Sequence, residues 1–210
     1  MSAVLNCNIT FIGGGNMAQA LIGGLLARGL PATRITVSDP VEKIRLLLAE
    51  KDVHTTDDNL AAIRDADIVL LAVKPQYLAN ILKALKGQLE GKLVISIVAG
   101  AEISTIAYVL ETERVVRVMP NTPALVQTGA HGLFAKEAVT LQDRELASQV
   151  MTSTGLTIWV NSEAQIDAVT AVSGSGPAYF FYMMESMIRA GKNLGLDEKV
   201  ANALTLQTAL

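Results

Sequence analysis

Short apolar runs alternate with helical patterns along most of the chain. The first run, Asn8-Ile9-Thr10-Phe11-Ile12, ends at three glycines, and Met17, Leu21 and Leu25 then recur at helical spacing. Gly29 closes that helix and Pro31 prevents its return. A second run, Arg34-Ile35-Thr36-Val37-Ser38, precedes a helix beginning near Val41, and a weak third strand is expected around Val53-His54. Asp67–Val73 is the clearest buried strand, followed by Leu93–Val98 and Val115–Val118. Continuous apolar strands separated by helices predict a parallel sheet covered on both faces, a doubly wound α/β fold of Rossmann-like type. Beyond about residue 125 the pattern weakens: 129–135 and 156–160 read as two more strands around a helix at 141–151. From Ala164 onward the chain reads as helical, so the pattern divides it into residues 1–163 and a helical domain at 164–210.

Composition removes several function classes. Half of the 210 residues are hydrophobic and the net charge is −3, which advertises neither nucleic acid nor an anionic membrane as a partner. A single cysteine, Cys7, excludes an internal disulfide framework and any multi-cysteine metal site, and makes a cytoplasmic setting the expectation. The first 27 residues carry no charged side chain, but Gly13, Gly14, Gly15, Asn16 and Gln19 interrupt the apolar run, so neither a spanning helix nor a targeting signal is read there. No metal-ligand spacing appears, and no histidine is placed for acid–base work at a strand end: His54 and His131 are the only two.

The chemistry concentrates where strands end. Gly13-Gly14-Gly15-Asn16-Met17-Ala18 reads G-x-G-x-x-A between a strand and a helix. Gly13 permits the tight turn, Gly15 admits a pyrophosphate to the backbone, and Ala18 keeps helix and strand close. Asp39, at the end of the second strand, is placed to hold an adenosine ribose. Its carboxylate favours NAD(H), whereas nearby Lys43 and Arg45 offer compensation for the 2′-phosphate of NADP(H), so both cofactors stay open. Ala72-Val73-Lys74-Pro75, Ala99-Gly100 and Met119-Pro120-Asn121-Thr122-Pro123 end three further strands and are candidates to flank the cofactor, each also readable as an ordinary turn. Ser173-Gly174-Ser175-Gly176-Pro177 lies inside the helical region. It reads either as a capped helix start able to bind a small carboxylate or as a kink between packed helices.

Together these segments resemble the pyrroline-5-carboxylate reductase family. The resemblance rests on Phe11–Ala18, Ala72–Pro75, Val94-Ile95-Ser96 through Ala99-Gly100, Met119–Ala124 and Ser173–Tyr179, in the family's order over the whole chain. It implies that Gly13, Gly14, Gly15, Asn16 and Met17 hold the cofactor pyrophosphate and that Asp39 and Asn59 lie near the adenosine ribose. Ala72, Val73, Lys74, Pro75, Ala99 and Gly100 would line the nicotinamide side, and Asn121, Ser173, Gly174 and Ser175 are candidates for the substrate. The implied reaction is hydride transfer from NAD(P)H to the imine carbon of 1-pyrroline-5-carboxylate, giving L-proline. A protonated imine accepts hydride without a positioned acid, which matches the lack of a catalytic histidine. Related hydroxyacid dehydrogenases carry a catalytic lysine after their own glycine-serine segment; here Phe180 stands four residues past Gly176, and the next lysine is Lys192.

Tyr179, Phe180, Phe181 and Tyr182 are four consecutive aromatics that point around the whole helix, so a homo-oligomer built through the region after 163 is expected. Met183, Met184 and Met187 are read as core filler and Trp159 as a packed strand residue. The family continues into a Pro-Gly-Gly-Thr-Thr loop and further helices, whereas residues 197–210 read as a helix without a stop signal. The expectation is therefore a chain cut within its helical domain, with two alternatives to the reductase: a catalytically silent nucleotide-binding fragment, or a related imine or hydroxyacid reductase.

Overall fold

The computed structural model describes residues 5–209; residues 1–4 and 210, the outer ends of the two expected domains, lie outside it. Strand β1 (Ile9–Ile12) is buried at every position, because both faces of the sheet are covered and no alternation is needed. Helix α1 (Asn16–Ala27) follows, then β2 (Ile35–Ser38), α2 (Glu42–Ala49), β3 (His54–Thr56) and α3 (Asn59–Ile63). Strand β4 (Ile68–Leu71), α4 (Pro75–Leu85), β5 (Leu93–Ser96), α5 (Ile103–Leu110) and β6 (Val115–Met119) complete the repeating units. A 3-10 turn (Thr122–Val126) leads into β7 (Gly129–Ala135), α6 (Leu141–Thr152) and β8 (Gly155–Trp159). The remainder is helical: α7 (Ala164–Val169), a π-helical turn (Thr170–Gly174), α8 (Gly176–Asn193) and α9 (Glu198–Thr208).

The eight strands form one sheet in the order β3-β2-β1-β4-β5-β6-β7-β8. All pairs are parallel except β6 with β7. The order reverses at β1, between β2 and β4, which is where doubly wound sheets open a crevice for ligands. One apolar cluster joins β1, β2 and β6 to α1 and α6 through Phe11, Leu21, Val37, Val116 and Met151. A second joins β4 and β5 to α4 and α5 through Val69, Leu71, Leu82, Val94 and Ile106. Trp159 sits half-buried in β8, its indole N–H donating to Ser148 Oγ at 2.8 Å, as a packed strand residue should.

The helical end is built differently. Gly191 and Ala201 bring α8 against α9, but Phe180, Phe181, Tyr182 and Met183 are exposed and Met187 largely so. Met183 is therefore surface rather than core among the described residues, whereas Met184 is half-buried and Met187, 43% exposed, lies beside a hollow against α9. No helix among the described residues is long and apolar enough to cross a membrane.

Candidate functional site

The glycine turn is shaped by what lies on each side of it. Gly13 has φ +99°, and a side chain there would meet the Ala72 carbonyl oxygen at 2.6 Å, so the start of the turn is pressed against the end of β4. At Gly14 an added Cβ would meet Ile44 at 2.7 Å; this residue backs onto α2 rather than onto the crevice. Gly15 is the reverse, with open space where a side chain would point. It caps α1 in extended conformation with no side chain bonded to the first turn and no acidic residue there. Asn16 and Met17 are the first residues of that helix. The backbone N–H groups of its first turn and the positive end of its dipole are thus left for an anion.

Gly13, Gly15, Asp39, Asn59, Ala72, Val73 and Lys74 line one cleft of about 520 Å³ at the carboxyl ends of β1, β2 and β4, together with Asp57, Tyr77 and Asn80. Pro75, Ala99 and Gly100 line a neighbouring depression between α4 and the start of α5. Of the expected cofactor residues, seven line the first cleft and Pro75, Ala99 and Gly100 the second depression, while Gly14, Asn16 and Met17 line neither. Pro75 occupies the first turn of α4, where its missing N–H costs nothing.

Asp39 is more engaged than its place in the sequence suggests. It is 7% exposed, and Oδ2 accepts from Gly14 N–H at 2.8 Å while Oδ1 accepts from Val41 N–H at 2.9 Å. Both oxygens are bonded to backbone, tying the glycine turn to the end of β2. Arg45 donates to the Asp39 carbonyl at 2.7 Å and lies 3.8 Å from Asp57, so its charge is directed at the protein's own acceptors. Buried Ser38 donates to Asn59 Oδ1 at 2.7 Å and fixes that side chain in the cleft. No motif or spacing in the chain signals this pairing.

At the far side, Asn121 is 8% exposed. Its Nδ2 donates to the Ser173 carbonyl at 3.0 Å, and its Oδ1 accepts from Ala130 N–H at 2.8 Å. Two segments 52 residues apart in the chain thus meet. The Ser173–Gly176 segment is not the free helix start that one reading of the sequence offered. The Ser175 N–H is already bonded to the Thr170 carbonyl at 2.8 Å, in the i→i+5 pattern of the π-helical turn, and its side chain makes no cap. The turn is instead a π-helical insertion between α7 and α8 in a continuous helical run. The Ser173 hydroxyl donates to the Val169 carbonyl at 3.1 Å, whereas half-buried Ser175 makes no side-chain hydrogen bond among the described residues.

His131 stays outside this chemistry. It is 2% exposed in β7, with Nε2 3.0 Å from Thr154 Oγ1, and burial pushes its pKa down to about 4. Among the described residues no cluster of three or more potential ligands could hold a metal.

Residues 8–100 match a family model described as NADP oxidoreductase coenzyme F420-dependent, and residues 163–210 match one described as pyrroline-5-carboxylate reductase dimerisation. A pyrroline-5-carboxylate reductase of Pseudomonas aeruginosa is 48% identical over 205 residues, covering 96% of this chain and 75% of that protein. The chain belongs to the pyrroline-5-carboxylate reductase family. A solved structure of a pyrroline-5-carboxylate reductase from Coxiella burnetii superposes with TM-score 0.93 at 44% identity, covering 97% of this chain and 77% of that one. The Plasmodium falciparum pyrroline carboxylate reductase with NADP bound gives TM-score 0.87 at 31% identity, over 98% and 77% of the two chains. The reductase fold in this chain thus carries its glycine turn and its Ser173–Gly176 turn at the same edge of the sheet.

Proposed function

We propose that this protein reduces 1-pyrroline-5-carboxylate to L-proline with NAD(P)H. The observation that carries the reading is the meeting of the family's two most specific segments: Asn121, beyond the end of β6, is bonded to Ser173 in the π-helical turn. In this reading the pyrophosphate lies over the Gly13-Gly14-Gly15 turn and is received by the open first turn of α1 at Asn16 and Met17, while the Gly14 N–H stays on Asp39. Asn59, held by Ser38, lies toward the adenosine ribose, with Asp39 bracing the turn beneath it. The adjoining hollow bounded by Pro75, Ala99 and Gly100 takes the nicotinamide side.

When bound, the nicotinamide would supply a hydride to the imine carbon, with the C=N π pair moving onto nitrogen. A nitrogen already protonated in the substrate becomes the neutral secondary amine directly, so no side chain is required to deliver a proton in that step. The task of the protein is to hold the two carbons in reacting geometry. The Ser175 hydroxyl and the substrate-facing side of the Ser173–Ser175 turn are the groups offered to the ring carboxylate. Residues 164–210 form the helical dimerisation part, the boundary falling near 163, and a second copy covers the exposed side of α8. The single cysteine, buried and unpaired, suits a reducing, cytoplasmic setting.

The test is loss of NADH or NADPH absorbance on adding 1-pyrroline-5-carboxylate, with proline identified as product. A protein that binds either cofactor yet turns over none of this imine would overturn the reading in favour of a silent nucleotide-binding fragment or a related imine or hydroxyacid reductase, which a substrate panel separates.

A further inference from the structure

Beyond the glycine turn, β6 carries a row of side chains with a common target. Alternate residues of a strand share a face, and Asn121 keeps the extended conformation (φ −134°, ψ 167°) beyond the strand's end, so Arg117, Met119 and Asn121 lie in line. Each reaches the α7–π-turn segment. Arg117, 6% exposed, pairs with Glu163 at 3.1 Å and reaches Asp167 at 3.4 Å. The same Glu163 oxygen accepts from Ile103 N–H at 2.7 Å, so the beginning of α5 is drawn into the clasp. Met119 packs under Gly174, where an added Cβ would meet Met119 Cε at 2.9 Å. Asn121 holds the Ser173 carbonyl.

A buried asparagine with its oxygen on Ala130 N–H and its amide on Ser173 has little left for a ligand, since only one N–H and one lone pair remain unassigned. The carbonyl it holds belongs to a π-helical turn, where the i→i+5 pattern displaces backbone groups from ordinary helical register and an external partner fixes them. The hydroxyl of Ser175 lies two residues farther on. We infer that Asn121 is a positioning residue for hydride transfer: its amide locks the Ser173–Ser175 turn against the end of β6, with Met119 and the Arg117–Glu163 clasp as the other two fastenings. This rests on the reductase reading above and assigns Asn121 a role through the turn rather than at the substrate.

The experiment uses the purified enzyme and its Asn121→Asp variant. The carboxylate still accepts from Ala130 N–H but sets a negative charge against the Ser173 carbonyl. Three readouts are taken: cofactor affinity, kcat and KM for 1-pyrroline-5-carboxylate, and amide exchange of residues 170–176 without ligand. Misplacement of about 1 Å in a reacting geometry costs about a hundredfold, so kcat/KM should fall by roughly 30- to 100-fold while the cofactor Kd moves by less than about threefold. Exchange across 170–176 should quicken, with β1 and β4 unchanged as the internal check on folding. Asn121→Ser, which adds no charge, repeats the measurement if the first variant does not fold. Unchanged exchange across the turn would overturn the inference, as would a cofactor affinity that falls in step with kcat/KM. If instead the wild-type enzyme fails to turn over the imine, the functional reading fails, and the exchange measurement still decides whether Asn121 holds the turn.

Discussion

The α/β part and the α8–α9 hairpin treat large apolar side chains in opposite ways. In the former, Phe11, Leu70 and Ile95 are wholly shut from solvent. In the latter, Phe180 is 69% exposed and Leu194 87%. The central strands β1, β4 and β5 have helices on both faces, so their residues find apolar neighbours within the chain whichever way they point, while Leu156 and Ile158 of the outer strand β8 stay exposed. The hairpin closes on small residues, Gly191 and Ala201, and turns most of its large ones outward. Contiguous exposed apolar surface of this kind marks an interface, and the match of residues 163–210 to a dimerisation family agrees. One part is stabilised by its own chain, the other by something outside it, and substitutions should separate the two.

The largest effect is expected at the glycine turn. Gly13→Val forces a branched side chain into positive φ and against the Ala72 carbonyl, and should destabilise the α/β part by about 4 kcal/mol or abolish folding. Gly15→Val has open space ahead of it and extended backbone, so urea denaturation should show a loss within about 1 kcal/mol, the ordinary cost of replacing a glycine cap. Yet its side chain enters the place proposed for the pyrophosphate, and NADPH titration should show binding lost. A Gly15 variant that folds and binds normally would remove the glycine turn from the cofactor site.

The hairpin should respond in the reverse sense. Phe180→Asp touches nothing that the α/β part needs. It should weaken self-association by about a hundredfold, or roughly 3 kcal/mol, as loss of a central aromatic anchor does. Sedimentation at several concentrations measures this, with the thermal transition of the α/β part as control. Unaltered association would place the interface elsewhere.

Acid should also distinguish the two parts. His131 is buried neutral in the α/β part, with its pKa pushed from 6.5 down to about 4 by desolvation. The unfolded chain takes up that proton below about pH 6.5, so stability is full above that value and is lost as pH falls toward 4. At about 1.4 kcal/mol per unit the loss approaches roughly 3 kcal/mol. His131→Leu should flatten this limb of the stability curve. Asp143 acts in a separate window: burial pushes its pKa up, but hydrogen bonds from Arg114 and Thr140 outweigh that and hold the carboxylate below the usual value of 3.8, so its contribution goes only in stronger acid. In the hairpin the Lys192–Glu198 pair is exposed on both sides, where an ion pair contributes little to stability.

What is legible in the sequence follows the same division. Strands buried on both faces, such as β1, β4 and β5, leave continuous apolar runs and are readable, whereas half-exposed β3 at His54–Thr56 shares only His54 with the weak strand expected around Val53-His54. The glycine turn is readable because backbone conformation demands glycine at Gly13. The π-helical turn is not, since Thr170–Gly174 has no composition that separates an i→i+5 register from an ordinary kink. Nor is the direction of the methionines, because helical spacing identifies an apolar face without saying which chain covers it. Side-chain partners across long separations, such as Ser38 with Asn59 and Arg117 with Glu163, exist only once the sheet has brought β2, β6 and α7 into place.

The smallest effect concerns Asp39, where sequence and structure lead to different expectations. From the sequence, its carboxylate would select NADH by holding the ribose and repelling a 2′-phosphate, so its removal should swing preference toward NADPH. In the structure both oxygens are bonded to backbone, at Gly14 and Val41. In Asp39→Asn the new amide keeps one acceptor and turns its N–H₂ toward the other donor, so the substitution loosens the turn whichever cofactor is bound. A hydrogen bond to a charged group contributes about 1.5–3 kcal/mol, so both affinities should fall about tenfold or more, in parallel. The measurement is the pair of dissociation constants for NADH and NADPH at matched salt, since a 2′-phosphate is sensitive to ionic strength. A parallel fall makes Asp39 a brace for the glycine turn. A loss confined to NADH would return it to the ribose, with its two backbone bonds secondary to that contact.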